Sequence, residues 1–155
     1  MLKRSLAKNT NQQSGFTILE LLLVLIVIII LIAFIGTTYA GIREKERNTT
    51  RQDNLALIKS SLELYYAENY KYPTLGNMNS PTWIAQNLQN FNNALLKDPS
   101  SSSETLVAAP KPHAYAYIVT GADGSACNNI TVQCAQYTLT ATLEGGGTFS
   151  QSSLS

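Results

Sequence analysis

The sequence predicts an α+β protein in which a long N-terminal helix packs its second half on a small antiparallel β-sheet. Three observations carry this. An apolar run near the start is long enough to cross a bilayer, a helically spaced amphipathic stretch follows it, and alternating strands fill the C-terminal part. At 155 residues the chain suits one modest domain and is too short for two well-packed ones.

Residues 1–15 form a basic leader with Lys3, Arg4 and Lys8 and no acid. Behind it, Leu21 to Ile35 is fifteen uninterrupted apolar residues, and Phe16 to Ala40 holds a single charge, Glu20. A bilayer span needs about 20 mainly apolar residues, which the 16–40 segment supplies. The basic leader predicts a cytoplasmic N-terminus, with everything after about residue 40 exported. An ordinary secretory signal would be shorter and end at a small-residue cleavage site; Gly36–Ala40 is only a loose match to one.

From Ile42 to Tyr72 there is no Pro or Gly, which predicts that the helix continues through 41–72. Arg43 to Asp53 alternates in sign and suits a solvated helix with pairs such as Glu44–Arg47. Leu55, Ile58, Leu62, Tyr65 and Tyr66 then form an apolar side, with Leu57 and Leu64 widening it. Pro73 disfavours helical backbone in its predecessor, so the helix is expected to stop near Tyr72. As one helix, 16–72 would be about 85 Å long at 1.5 Å per residue.

Residues 73–112 connect the helix to the strands. Ser80-Pro81 reads as an N-cap followed by Pro at the first helical position, opening a short helix with Trp83, Ile84, Leu88, Phe91, Leu95 and Leu96 as its packing residues. Within 113–155, Ala114–Thr120 and Gln136–Glu144 read as strands, the second placing Tyr137, Leu139, Ala141 and Leu143 on one face. Gly145-Gly146-Gly147 predicts a turn, and the Ser-rich end a flexible tail. Cys127 and Cys134 are the only cysteines. In an exported, oxidising setting they are expected to form one disulfide.

The segment Ser14-Gly15-Phe16-Thr17-Ile18-Leu19-Glu20, ahead of Leu21-Leu22-Leu23-Val24-Leu25, resembles the class III signal of type IV pilins and pseudopilins. The resemblance implies cleavage between Gly15 and Phe16 by a prepilin peptidase, then N-methylation of Phe16. It implies that Glu20 pairs with the Phe16 amine of a neighbouring subunit. Each charge is costly alone in lipid, about 2.5–3.5 kcal/mol at a helix centre on insertion scales, and tolerable when paired. The implied partners are copies of the chain and other pilins in a helical filament, the peptidase/methyltransferase, and an assembly platform. The implied location is the cytoplasmic membrane before assembly and an extracellular filament after it.

Within this family, the sequence is read first as a type IV pilus subunit, with a type II secretion pseudopilin or a DNA-uptake pilin as alternatives. Major pseudopilins of the secretion type carry calcium, which takes six to eight oxygen ligands; here Asp98, Glu104, Asp123 and Glu144 are scattered. Direct nucleic-acid binding is not expected, because net charge is only +1 and Lys97 and Lys111 are the only bases beyond Thr74. No cofactor or metal is expected. His113 is the sole histidine and stands in no recognisable catalytic motif, so an enzyme is not expected either. Asn48-Thr49-Thr50 and Asn129-Ile130-Thr131 match glycosylation acceptors, a common tripeptide.

Overall fold

The computed structural model describes residues 15–154, leaving the side chains of residues 34–38 and 40 outside the description. Lys3, Arg4 and Lys8 of the leader therefore lie outside the described residues. The chain divides between Ala40 and Gly41 into two units.

Helix α1 spans Ile18–Asn69. In its first unit every residue from Gly15 to Ala33 is exposed. In the second unit it contributes Leu55, Ile58, Leu62 and Tyr65 to a core completed by the rest of the chain. Leu57 and Leu64 do not widen that face; they are 53% and 68% exposed. At about 100° per residue, Leu57 sits some 200° around the helix from Leu55, on the opposite side.

The helix ends at Asn69, three residues short of the expected Tyr72, because Tyr70 adopts a left-handed conformation (φ 56°). Its N–H still reaches the Tyr66 carbonyl at 2.7 Å. Such a helix-terminating position usually takes Gly or Asn, and a β-carbon there is strained. Tertiary contacts hold the turn: Gln133 donates its side-chain amide to the Tyr70 carbonyl, and the Tyr72 N–H donates to the Cys134 carbonyl at 2.8 Å.

The connector is more structured than expected. A short helix α2, Leu75–Met78, is closed by a capping box between Thr74 and Asn77. Helix α3, Pro81–Asn87, begins on the Ser80 cap as anticipated, the hydroxyl accepting from the Trp83 N–H. Leu95 and Leu96 belong instead to a separate 3-10 turn, Asn93–Leu96, capped by Asn92. Farther on, Val107 bonds to the outer edge of the sheet at Tyr115 and Tyr117.

Strands β1 (Tyr115–Thr120), β2 (Gln136–Thr142) and β3 (Thr148–Ser152) form an antiparallel sheet in that order. Tyr117 stands opposite Leu139, and Leu139 opposite Gln151. Tyr137, Leu139 and Ala141 face the core as their alternation predicts; Leu143 lies beyond the strand, half-buried. The expected flexible tail is mostly β3. Phe149 is its only large apolar residue, so the strand is made by pairing with β2 and not by its own pattern. The intervening glycines have φ values of 81°, 105° and 85°. An added β-carbon on Gly145 would also lie 2.6 Å from Glu44 Oε1, which would have to move aside, but it is the left-handed backbone that favours glycine there.

Candidate assembly and processing site

At the start of α1, Gly15, Phe16 and Thr17 are non-helical and exposed. The Thr17 hydroxyl accepts the Glu20 N–H at 3.2 Å, and its carbonyl accepts the Leu21 N–H at 3.1 Å. This is N-cap geometry, and it places Glu20 in the first turn, where a carboxylate complements the helix dipole. The cap escaped the reading of the sequence, although Thr-x-x-Glu ahead of an apolar run is its signature.

Thus the structure brings the expected residues Gly15, Phe16 and Glu20 into one exposed segment, joined to a helix apolar on every side. A surface of that kind is not stable in water and has to be covered by lipid or protein. Among the described residues no helix is long and apolar enough to cross a membrane. The described side chains run unbroken only from Gly15 to Ala33, whereas the expected span reaches Ala40.

The second unit carries a polar cluster that sequence reasoning missed. Arg51 is 1% exposed and grips Asp98, also 1% exposed, through Nε–Oδ2 at 2.7 Å and Nη2–Oδ1 at 3.0 Å. Arg51 Nη2 also reaches Glu144 Oε1 at 3.0 Å, and Arg47 pairs with the same carboxylate. Arg47 therefore turns to the sheet's far end in place of the expected helical partner Glu44. A signal for Arg51 was available: it lies four and seven residues before Leu55 and Ile58, on the helix's buried side. Hydrogen bonds from Arg47 first, then from Arg51 and Ser100, hold the Glu144 carboxyl down at about 2.

Both glycosylation tripeptides are structural. Asn48 donates to the Glu144 carbonyl at 3.0 Å and accepts its N–H at 2.9 Å, fixing the β2–β3 turn to the helix. Asn129 donates to the Tyr72 carbonyl at 2.7 Å and accepts the Cys134 N–H at 2.8 Å. A sugar on either amide nitrogen would replace one of its two hydrogens and crowd the bond that nitrogen donates.

Cys127 and Cys134 form a disulfide, as expected. With seven residues of separation, the closed loop stabilises by about 2–3 kcal/mol on the chain-entropy model. Reduction should leave the fold intact but lower the unfolding free energy from denaturant titration by that amount, moving the midpoint down accordingly. Two thiols alkylated in native, unreduced protein would refute the pairing.

Deeper in the same unit, Tyr72 and Tyr137 donate to Glu63 at 2.9 and 2.8 Å. Burial raises the Tyr137 hydroxyl pKa strongly, and burial pushes that of Tyr115 up to about 12. Burial thus favours the protonated Tyr137 phenol that donates to Glu63, whereas the Tyr115 hydroxyl accepts from the Asn54 side-chain amide at 3.1 Å. His113 is exposed, with φ 60°. Among the described residues no three His, Cys, Asp or Glu side chains are grouped to hold a metal.

Over 124 residues the chain is 26% identical to the type II secretion system core protein G of Escherichia coli K12, covering 74% of this chain and 86% of that protein. This match agrees with the resemblance to type IV pilin-like proteins carried by the Gly15-Phe16-x3-Glu20 segment. A second pilin-like relative, the type II secretion system core protein G of Vibrio cholerae O1, is 30% identical over 67 residues, 43% of this chain and 46% of that protein. No family model and no solved structure gives a significant match. The long helix with a small antiparallel sheet agrees with a pilin-like fold.

Proposed function

We propose that this chain is a structural subunit of a type II secretion pseudopilus, not an enzyme. In this proposal the 16–40 segment holds the precursor in the cytoplasmic membrane with its N-terminus inside. A prepilin peptidase adds water across the Gly15–Phe16 amide, leaving a carboxylate on Gly15 and a protonated amine on Phe16. N-methylation of that amine follows. The mature subunit then leaves the membrane for a filament of copies of itself and other pilin-like subunits, driven by an assembly platform. Glu20 neutralises a neighbour's Phe16 amine as each subunit enters.

The observation that carries this reading is the similarity to a type II secretion core protein over 86% of that protein's length. It favours secretion over the pilus subunit that the sequence first suggested. The exposed apolar helix behind Gly15-Phe16 supports a chain built to be covered by lipid and then by its neighbours. A clean deletion in the organism that carries the chain separates the readings. Loss of protein export with surface fibres intact is expected. Loss of fibres with export unaffected would return the protein to the pilus class.

A further inference from the structure

We propose that Thr17 is a positioning residue for processing: by capping α1 just after the scissile bond, it holds Gly15–Phe16 outside the helix. The inference rests on the processing step proposed above. A peptidase has to take the amide in an open form, and a bond inside a helix must first be freed by local unfolding. In this chain the open form is already present. Gly15, Phe16 and Thr17 are non-helical, and α1 starts at Ile18.

The cap decides where the helix begins. Thr17 accepts the Glu20 N–H through Oγ1. The next capping side chain upstream in the sequence is Ser14. With Ser14 as N-cap, Gly15 and Phe16 would become the first two helical residues and the scissile amide would enter the first turn. Removing the Thr17 hydroxyl therefore shifts the start of the helix toward the bond that must stay open.

Gly15 itself is not required by the fold. A β-carbon there would meet nothing within 4 Å. Any demand for glycine at that position comes from the peptidase, whereas the demand for a capping side chain at Thr17 comes from the chain. The two requirements can be tested apart. Hydrolysis itself is unchanged: the C–N bond of the amide breaks, water supplies oxygen to the Gly15 carboxylate, and protons go to the Phe16 amine.

Pulse-chase of the full-length precursor in cells with a prepilin peptidase supplies the test, with the N-terminus read by mass spectrometry. Thr17→Ala and the near-isosteric Thr17→Val are expected to slow cleavage about five-fold, the factor that about 1 kcal/mol of lost capping represents. Thr17→Ser and Thr17→Asn, which differ in shape but share a capping oxygen, are expected to match wild type. Adding Ser14→Ala to Thr17→Ala removes the upstream cap and is expected to restore much of the rate. Val matching Thr, or Ser and Asn as slow as Ala, would overturn the proposal, since the peptidase would then be reading the side chain's shape. If the wild type is cut, Gly15→Leu blocks cutting and Thr17→Ala is processed normally, only the role of Thr17 fails. If the wild type is not cut after Gly15, the processing reading fails with it.

Discussion

Glu20→Leu should be made, inserted and cut after Gly15, yet fail to extend filaments. Two roles for this carboxylate make different predictions. As a first-turn acid beside the Thr17 cap, it adds a few tenths of a kcal/mol to 1 kcal/mol to the helix end. In that case Glu20→Gln, which keeps a polar side chain at the same position, should be nearly silent. As the partner of a neighbour's Phe16 amine, it is needed for its charge. Losing one member of a buried pair costs about 3–5 kcal/mol. That is a factor of hundreds or more in each addition step. Glu20→Gln and Glu20→Leu should then fail alike, and filament yield relative to membrane-fraction protein measures the difference. Normal yield from Glu20→Leu would remove the assembly role.

Arg51→Met should produce the largest loss of stability in the second unit. It leaves Asp98 buried at 1% exposure with its ionic partner gone, a loss of about 3–5 kcal/mol. The melting temperature of detergent-solubilised protein should fall by on the order of 10–20 °C. Arg47→Met removes a pair whose cation is 35% exposed and solvent-screened, so it should lower the melting temperature far less than Arg51→Met. Combining Arg51→Met with Asp98→Leu should recover much of the loss, because two apolar side chains leave no stranded charge. Acid adds a linked expectation. The Glu144 pKa is depressed to about 2, below its ordinary value of 4.5. Its contribution is thus present above about pH 4.5 and lost as pH falls toward 2. In Arg47→Met, acid unfolding should begin at higher pH.

Wherever a short stretch of chain holds its own cause, the structure follows the sequence. The apolar run and the amphipathic stretch behind it are helical because no Pro interrupts them and one continuous pattern runs over many turns, which outweighs the weaker helix formers such as Gly36 and Gly41. Ser80-Pro81 opens α3 because both the cap and the fixed Pro φ act within one turn. Alternation in Gln136–Thr142 became β2 with Tyr137, Leu139 and Ala141 inward because period two allows one buried face. The Gly15-Phe16-x3-Glu20 pattern, likewise, was legible without any coordinates.

Other features depend on partners that are distant in sequence, and only the tertiary structure decided them. Helix α1 stops at Asn69 because Gln133 and Cys134, more than sixty residues on, hold the turn at Tyr70 and Tyr72 in place. Arg51 looked like one charge in a solvated ladder and became a buried ionic centre because Asp98 and Glu144 arrive from 47 and 93 residues farther along the chain. Strand β3 exists because β2 offers it a hydrogen-bonding edge, which polar Thr148–Ser152 could not announce by itself. Local preference is written in consecutive residues, whereas an ion pair or a strand edge is specified only when folding brings its two halves together.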